Sequence, residues 1–299
     1  MRRIFYTILC ICHGVTSVAQ NLVCLPDCKQ MPGYAQQLGF APGSAAFSTS
    51  VKGQVGLCLV DVNNPTRVYQ HPSWKREGAL GPLAIDELGN VYLAPVPNIN
   101  VLDAVRGNQY RIYKVDAITQ EMSVFYESPT KNDSSFASRN AYGFMGLYYD
   151  CKDKLLYASS VQGSSIKKEA GTIYCIATSG NKGKLVSSIA NTDAIGIGVI
   201  MLGTSKYLLY GHARTSKVMM RKISTGSKSF GPAQTAFSLD GIGKNGDDVA
   251  KKIRCTNAML LVTGIPFYFN LTAPTQSQEV KYECTYDAAA KKWIVKLAS

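Results

Sequence analysis

Pro82-Leu83-Ala84-Ile85-Asp86, four residues, then Val91-Tyr92-Leu93-Ala94, a polar insert, and Arg111-Ile112-Tyr113-Lys114-Val115-Asp116 form one unit of this chain. The unit returns some sixty residues later. Gly146-Leu147-Tyr148-Tyr149-Asp150 is followed, after four residues, by Leu155-Leu156-Tyr157-Ala158, another polar insert and Thr172-Ile173-Tyr174-Cys175-Ile176-Ala177. A repeat of roughly 40–60 residues that holds several short β-branched and aromatic runs is written for a propeller, in which each copy is one four-stranded blade.

Working outward, the third strand of each copy falls at 56–61, 111–116, 172–177, 218–224 and 281–287. Fourth strands follow at 66–70, 122–126, 185–189, 235–239 and 293–297. A further pair of first and second strands lies at 198–201 and 207–210, and the last blade is assigned 258–262 and 267–271. Asp61, Asp116 and Asp287 each close a third strand, where an aspartate accepts hydrogen bonds from turn amides. No long helical period interrupts the pattern, which argues against an α/β domain. The expected class is therefore all-β, a propeller of five to six four-stranded blades. A sixth would hide in 38–51 or in the Gly-, Asp- and Lys-rich stretch 240–252, which reads better as a loop.

The run Pro-Leu-Ala-Ile-Asp-Glu-Leu-Gly-Asn-Val-Tyr-Leu-Ala at 82–94, with Arg-Ile-Tyr-Lys-Val-Asp at 111–116, resembles a blade of the NHL and gluconolactonase-like propellers. The resemblance implies the fold. For the gluconolactonase-like branch it also implies a divalent metal at the axial mouth, held by Glu, Asn and Asp at the starts of the innermost strands. Those starts read Gly81-Pro82, Gly143-Phe144, Gly196-Ile197 and Thr256-Asn257 here, so such a set would have to come from Glu77, Asn140 and Asp193 slightly upstream.

The amino terminus carries Arg2 and Arg3, a short apolar run through Cys12, and Ser17-Val18-Ala19. This is the layout of an export signal, cleaved after Ala19, and the run is too short to span a bilayer. The domain plan is then 1–19 signal, 20–50 an amino-terminal arm leading into the first blade, and 51–299 propeller. No transmembrane segment is expected after cleavage. Loss of Arg2 and Arg3 lowers the formal charge from +12 to +10, which favours anionic neighbours. The lysines fall in scattered doublets without an aromatic-interleaved stripe, which argues against nucleic acid.

Seven cysteines remain once Cys10 and Cys12 leave with the signal, and an exported chain should oxidise them. The candidate pairs are Cys24–Cys28, Cys151–Cys175 and Cys255–Cys284, with Cys58 left over. Sequence cannot supply the geometry a disulfide needs. A zinc site would require a second short-spaced pair, which the sequence lacks.

Polar loops between second and third strands, at 95–108, 161–171, 211–217 and 272–279, gather on one face of a propeller. They carry Arg106, Lys167, Lys168, His212 and Arg214, so that face is expected to bind an anionic group. Catalysis has thin support. The mature chain holds only His71 and His212, no Gly-x-Ser-x-Gly elbow occurs, and glutamate is sparse. Asn132-Asp133-Ser134 and Asn270-Leu271-Thr272 fit the glycosylation pattern only if the source is a eukaryote.

The expected function is that of an exported, periplasmic, envelope-associated or secreted, non-enzymatic propeller. It would bind a protein partner or an anionic envelope component, with no cofactor, as an accessory subunit of a bacterial envelope assembly. The alternative is a metal-dependent propeller hydrolase or lyase acting on a small molecule.

Overall fold

The computed structural model describes residues 21–96, 108–129, 140, 142–224, 229–269 and 279–298. The chain enters through β1 (Leu22–Cys24) and a five-residue helix α1 (Gly33–Gln37). Blade 1 follows as β2 (Ala45–Ser48), β3 (Cys58–Asp61) and β4 (Val68–Tyr69). Blade 2 is β5 (Leu80–Ile85), β6 (Val91–Pro95), β7 (Arg111–Val115) and β8 (Met122–Glu127). Blade 3 is β9 (Phe144–Asp150), β10 (Leu155–Ser160), β11 (Thr172–Ala177) and β12 (Lys184–Ala190). Blade 4 comprises β13 (Ala194–Leu202), β14 (Ser205–His212), β15 (Lys217–Lys222) and β16 (Gln234–Ser238). Blade 5 comprises β17 (Val249–Thr256), β18 (Met259–Ile265), β19 (Val280–Asp287) and β20 (Lys292–Leu297). Each sheet is an antiparallel meander in sequence order, and β1 adds to the free edge of β13.

Five sheets, not six, make up the described molecule. The stretch 38–51 supplies β2 of the first blade, and 240–248 is a run of turns. The last blade departs from its sequence reading. Its first strand is Val249–Thr256, and 259–262 belongs to the second strand rather than the first. Residues 266–269 are loop, and 270–271 lie outside the described residues. Two adjacent lysines and a bulge between Ala250 and Lys252 break the apolar alternation of β17, which hid it.

Blades hold together through period-two side-chain alternation, which gives a strand two faces to bury. In β6, Val91 and Leu93 join the cluster shared with blade 1, while Tyr92 and Ala94 join the one shared with blade 3. In β14, Leu208 and Tyr210 face blade 3 and Leu209 faces blade 5. Between blades 1 and 2, Trp74 is fully buried, with its indole N–H donating to the Gln120 carbonyl at 2.8 Å. Close approach of sheets near the axis explains the glycines that open innermost strands. A Cβ on Gly143 would lie 1.9 Å from the Gln109 carbonyl oxygen.

Blade 1 is narrower than the rest, and its three strands correspond to the second, third and fourth strands of a full blade. Asp61 ends β3 as Asp116 and Asp287 end the third strands of blades 2 and 5. It accepts from Asn63 N at 2.9 Å; Asp116 takes Ile118 N and Thr119 N, each at 2.9 Å, and Asp287 takes Ala289 N and Ala290 N. The turn role expected for these aspartates is the observed one. Beyond β2, Thr49 Oγ1 meets the carbonyl of Gly81 near the start of β5, so β2 runs opposite to an innermost strand.

The amino-terminal segment clasps the other four blades from the side where first strands turn into second strands. Leu22, Val23 and Cys24 pair with Leu202, Met201 and Ile200 at the end of β13. Cys24 is bonded to Cys255 of blade 5 and Cys28 to Cys151 of blade 3, and Gln30 N donates to Asp86 O of blade 2. These disulfides replace all three expected pairs. Cys151 directly follows the first strand of blade 3 and Cys175 lies in the third, with β10 between those strands. Cys255 and Cys284 are likewise separated by β18. Two strand spacings come to about 9.6 Å, beyond what a disulfide spans. Cys24 and Cys28 part because the arm between them crosses from blade 5 to blade 3. Cys58, Cys175 and Cys284 are buried and lie outside the two disulfides, and burial pushes the Cys284 thiol up to about 12.

Candidate functional site

The innermost strands of blades 2 to 5 begin on the face opposite the clasp, and each is preceded by one polar side chain. These are Glu77, Asn140, Asp193 and Asp248. Glu77 Oε2 accepts from the Tyr113 hydroxyl at 2.6 Å and from Asn108 Nδ2 at 3.2 Å. Asn140 Nδ2 donates to the carbonyls of Val161 and Ser164, and its Oδ1 accepts from Tyr142 N. Asp248 accepts from the Tyr282 hydroxyl at 2.6 Å and from Asn245 Nδ2 at 2.8 Å.

Asp193 is the most heavily engaged. Its side chain is wholly buried and accepts from Gly171 N at 2.9 Å, from the Ser164 hydroxyl, and from Arg214 Nε at 2.6 Å. The rest of the Arg214 guanidinium donates to the carbonyls of Ser165, Ile166 and Lys168. Arg214 thus fastens the 161–171 loop of blade 3 to blade 4, and its Cζ lies 4.6 Å from the centroid of the Phe269 ring. Charge-assisted bonds of this kind are short and strong, which suits a loop anchor. Glu169 Oε1 accepts from Asp193 N at 2.9 Å and sits 3.4 Å from His212 Nε2, while His212 Nδ1 meets Thr215 Oγ1 at 3.0 Å.

Four of the five residues singled out as anion ligands therefore come from the blade 3 loop and from the adjoining end of β14 with the turn that follows it. Lys167 and Lys168 are exposed at the tip of the blade 3 loop, with His212 at the end of β14 and Arg214 just beyond it. Arg106 lies outside the described residues.

At the centre of the same face, Val161, Ile195, Ala213, Val249 and Phe269 form a buried apolar cluster flanked by Tyr142, Met145 and Phe267. The Phe267 ring lies 5.3 Å from both Tyr142 and Phe269, an arrangement that adds to burial energy. Glu77 Oε2, the Asn140 amide and the Asp193 carboxylate are engaged by the protein's own groups. Among the described residues no group of three His, Cys, Asp or Glu is placed to hold one.

The latch of blade 5 was not visible beforehand, because Asp248 lies in a stretch rich in turn residues. One signal did exist. Tyrosine recurs at the third position of β7, β11 and β19 as Tyr113, Tyr174 and Tyr282. Each hydroxyl ties its strand to a segment on this face, Tyr174 through Ser128 Oγ at 2.7 Å. Burial, followed by the hydrogen bond to Glu77, raises the pKa of Tyr113, and burial with Asp248 does the same for Tyr282.

The sheet order and register define a five-bladed β-propeller. No family model matches the chain, and no curated protein does. Solved structures give distant likenesses. An exo-β-1,3-galactanase from Phanerochaete chrysosporium matches at 7% identity, covering 94% of this chain and 71% of that one, with a TM-score of 0.47. An oligogalacturonate lyase from Vibrio parahaemolyticus matches at 12% identity, covering 85% and 62%, with a TM-score of 0.44. A bifunctional GH43-CE protein from Bacteroides eggerthii matches at 11% identity and a TM-score of 0.42, over 73% of this chain. The chain spans only 27% of that last protein's length.

Proposed function

We propose that the chain is an exported, non-enzymatic β-propeller that works as a binding or scaffold subunit of a bacterial envelope assembly. One observation carries this reading: the carboxylates and the amide that precede the innermost strands are consumed as structural latches. Propeller hydrolysis or lysis needs carboxylates or a metal free to meet substrate at that mouth. Among the described residues an apolar cluster stands at that mouth.

Export draws support from the sequence of residues 1–19, which lie outside the described residues, and from two disulfides, which persist in oxidising compartments. No helix among the described residues is long and apolar enough to cross a membrane. In this reading the arm expected over 20–50 gives way to the propeller already at β2 (Ala45–Ser48), which belongs to blade 1. The loop face binds an anionic group of an envelope component through Lys167, Lys168, His212 and Arg106, and Arg214 contributes chiefly by fixing the loop that carries the lysines.

The test is mild crosslinking and pull-down of the mature, disulfide-bonded protein from its native membrane fraction, with metal analysis of the same preparation. Recovery of defined envelope proteins, lost on charge reversal at Lys167 and Lys168, is the expected result. A stoichiometric divalent metal together with turnover of a lactone or an acidic sugar would overturn it in favour of the gluconolactonase-like alternative.

A further inference from the structure

A blade in a closed ring buries both faces, and among the described residues blade 5 buries one. Buried clusters fill the spaces between blades 1 and 2, 2 and 3, 3 and 4, and 4 and 5. Among the described residues none joins blade 5 to blade 1. The second strands show the difference directly. Every residue of β6 and β10 is buried, whereas β18 buries Leu260, Val262 and Gly264 and leaves Leu261 38% exposed. Since blade 4 covers the Leu260 side, the uncovered side is the one turned toward blade 1.

Register fixes what that side presents. Lys252, Thr263 and Lys281 form one row across the sheet, and Arg254, Leu261, Glu283 and Lys296 form the next. Thr285 and Ile294 continue it, with Ile294 48% exposed. Lys296 pairs with Glu283 at 2.9 Å, but Lys252, Arg254 and Lys281 have no ion-pair partner among the described residues. Burial, then the adjoining charge of Lys251, hold the Lys252 ammonium below its ordinary pKa against an opposing pull from Glu279, whose carboxylate is bonded to Lys251. The strands of blade 1 show Ala46, Val60 and Val68, and no carboxylate, on the side away from blade 2.

We infer that this face of blade 5 is a docking surface for an extended acidic segment of a partner protein, its carboxylates meeting Lys252, Arg254 and Lys281 and its aliphatic side chains covering Leu261 and Ile294. Charge complementarity selects the occupant. A second copy would bring like-charged faces together, which is disfavoured. A pure polyanion would satisfy the cations and leave both aliphatic side chains wet. The row from Arg254 to Lys296 spans three strand spacings, about 14 Å, the reach of four to five extended residues. This deepens the scaffold reading and rests on it.

The experiment measures binding of a labelled peptide of alternating glutamate and valine to the mature, disulfide-bonded protein by fluorescence anisotropy. Polyglutamate, heparin and anionic phospholipid vesicles serve as competitors. Saturable binding is expected, weakened about tenfold or more by Arg254→Glu or Lys281→Glu. Leu261→Ser should weaken it several-fold, with polyglutamate competing poorly. These side chains are exposed, and an unchanged near-UV CD spectrum and melting midpoint confirm folding; Arg254→Ala provides a milder second variant. Absence of binding, binding indifferent to the charge reversals, or equal competition by polyglutamate, heparin or vesicles overturns the inference. Envelope crosslinks that survive Arg254→Glu while peptide binding is absent would remove this surface and leave the scaffold function standing.

Discussion

Cys24 and Cys255 lie 231 positions apart in the chain and are joined by a disulfide, with their Cα atoms 5.2 Å apart. The bond ties the entering segment to the last blade, and Cys28–Cys151 ties the same segment to the middle one. Propellers commonly secure their ring by completing one sheet with strands from both ends of the chain. Here the amino-terminal clasp links blades 2 to 5 instead, while blade 1 stays three-stranded.

Cross-links over such long loops restrict the unfolded chain strongly. Replacing Cys24 and Cys255 together by serine should lower stability by about 2–5 kcal/mol. The readout is the urea midpoint followed by tryptophan fluorescence. Non-reducing peptide mapping should recover the Cys24–Cys255 and Cys28–Cys151 pairs, and a Cys24–Cys28 peptide would contradict the clasp.

Lys206 links blades 3 and 4 by pairing with Asp150, whose side chain is almost wholly buried, and with Asp153 at 3.0 Å. Burial alone would depress its pKa, but the bonds to both aspartates outweigh that and raise it. Lys206→Met should cost about 3–5 kcal/mol, because it strands a buried carboxylate. Adding Asp150→Leu should recover much of the loss. A double variant no better than the single one would show that Asp150 matters through its turn rather than through the ion pair.

The latch between Tyr282 and Asp248 should be sensitive to loss of one hydroxyl. Tyr282→Phe removes one of the two side-chain donors to a carboxylate that is 0% exposed, at an expected cost of about 1–3 kcal/mol. Tyr113→Phe should act likewise on Glu77. Thermal unfolding of each variant beside the parent checks this, and unchanged midpoints would refute a latch role.

Acid should weaken the fold partly through Asp116. Its carboxyl lies below the usual 3.8 because the amides of Thr119 and Ile118 donate to it against a burial effect of opposite sign. A carboxyl held low in the folded chain contributes stability that is complete above the unfolded value. That contribution is lost as pH falls through the folded one. Asp116→Asn should therefore flatten the decline in urea midpoint between about pH 5 and pH 3. A decline identical to the parent's would assign the acid limb to other groups, among them Glu87. There the Tyr149 hydroxyl bond at 2.6 Å and Lys154 overcome burial and lower the carboxyl's pKa.

The sequence by itself determined the strands and their rhythm. Period-two apolar runs, turn aspartates such as Asp61, Asp116 and Asp287, and a tyrosine repeated at one strand position are local features. Each is set by backbone geometry within a few residues. It failed at β17, where Lys251, Lys252 and Arg254 stand in a strand whose outer face no neighbouring blade covers, so the apolar pattern that announces an inner strand is missing.

Tertiary structure alone decided the rest. Disulfide partners depended on which strand lies between two cysteines and on where the arm crosses. Arg214 looked like a free cation until the fold set Asp193 and three loop carbonyls around it. Those outcomes depend on distances between residues dozens to hundreds of positions apart, and no local pattern of the chain encodes such distances.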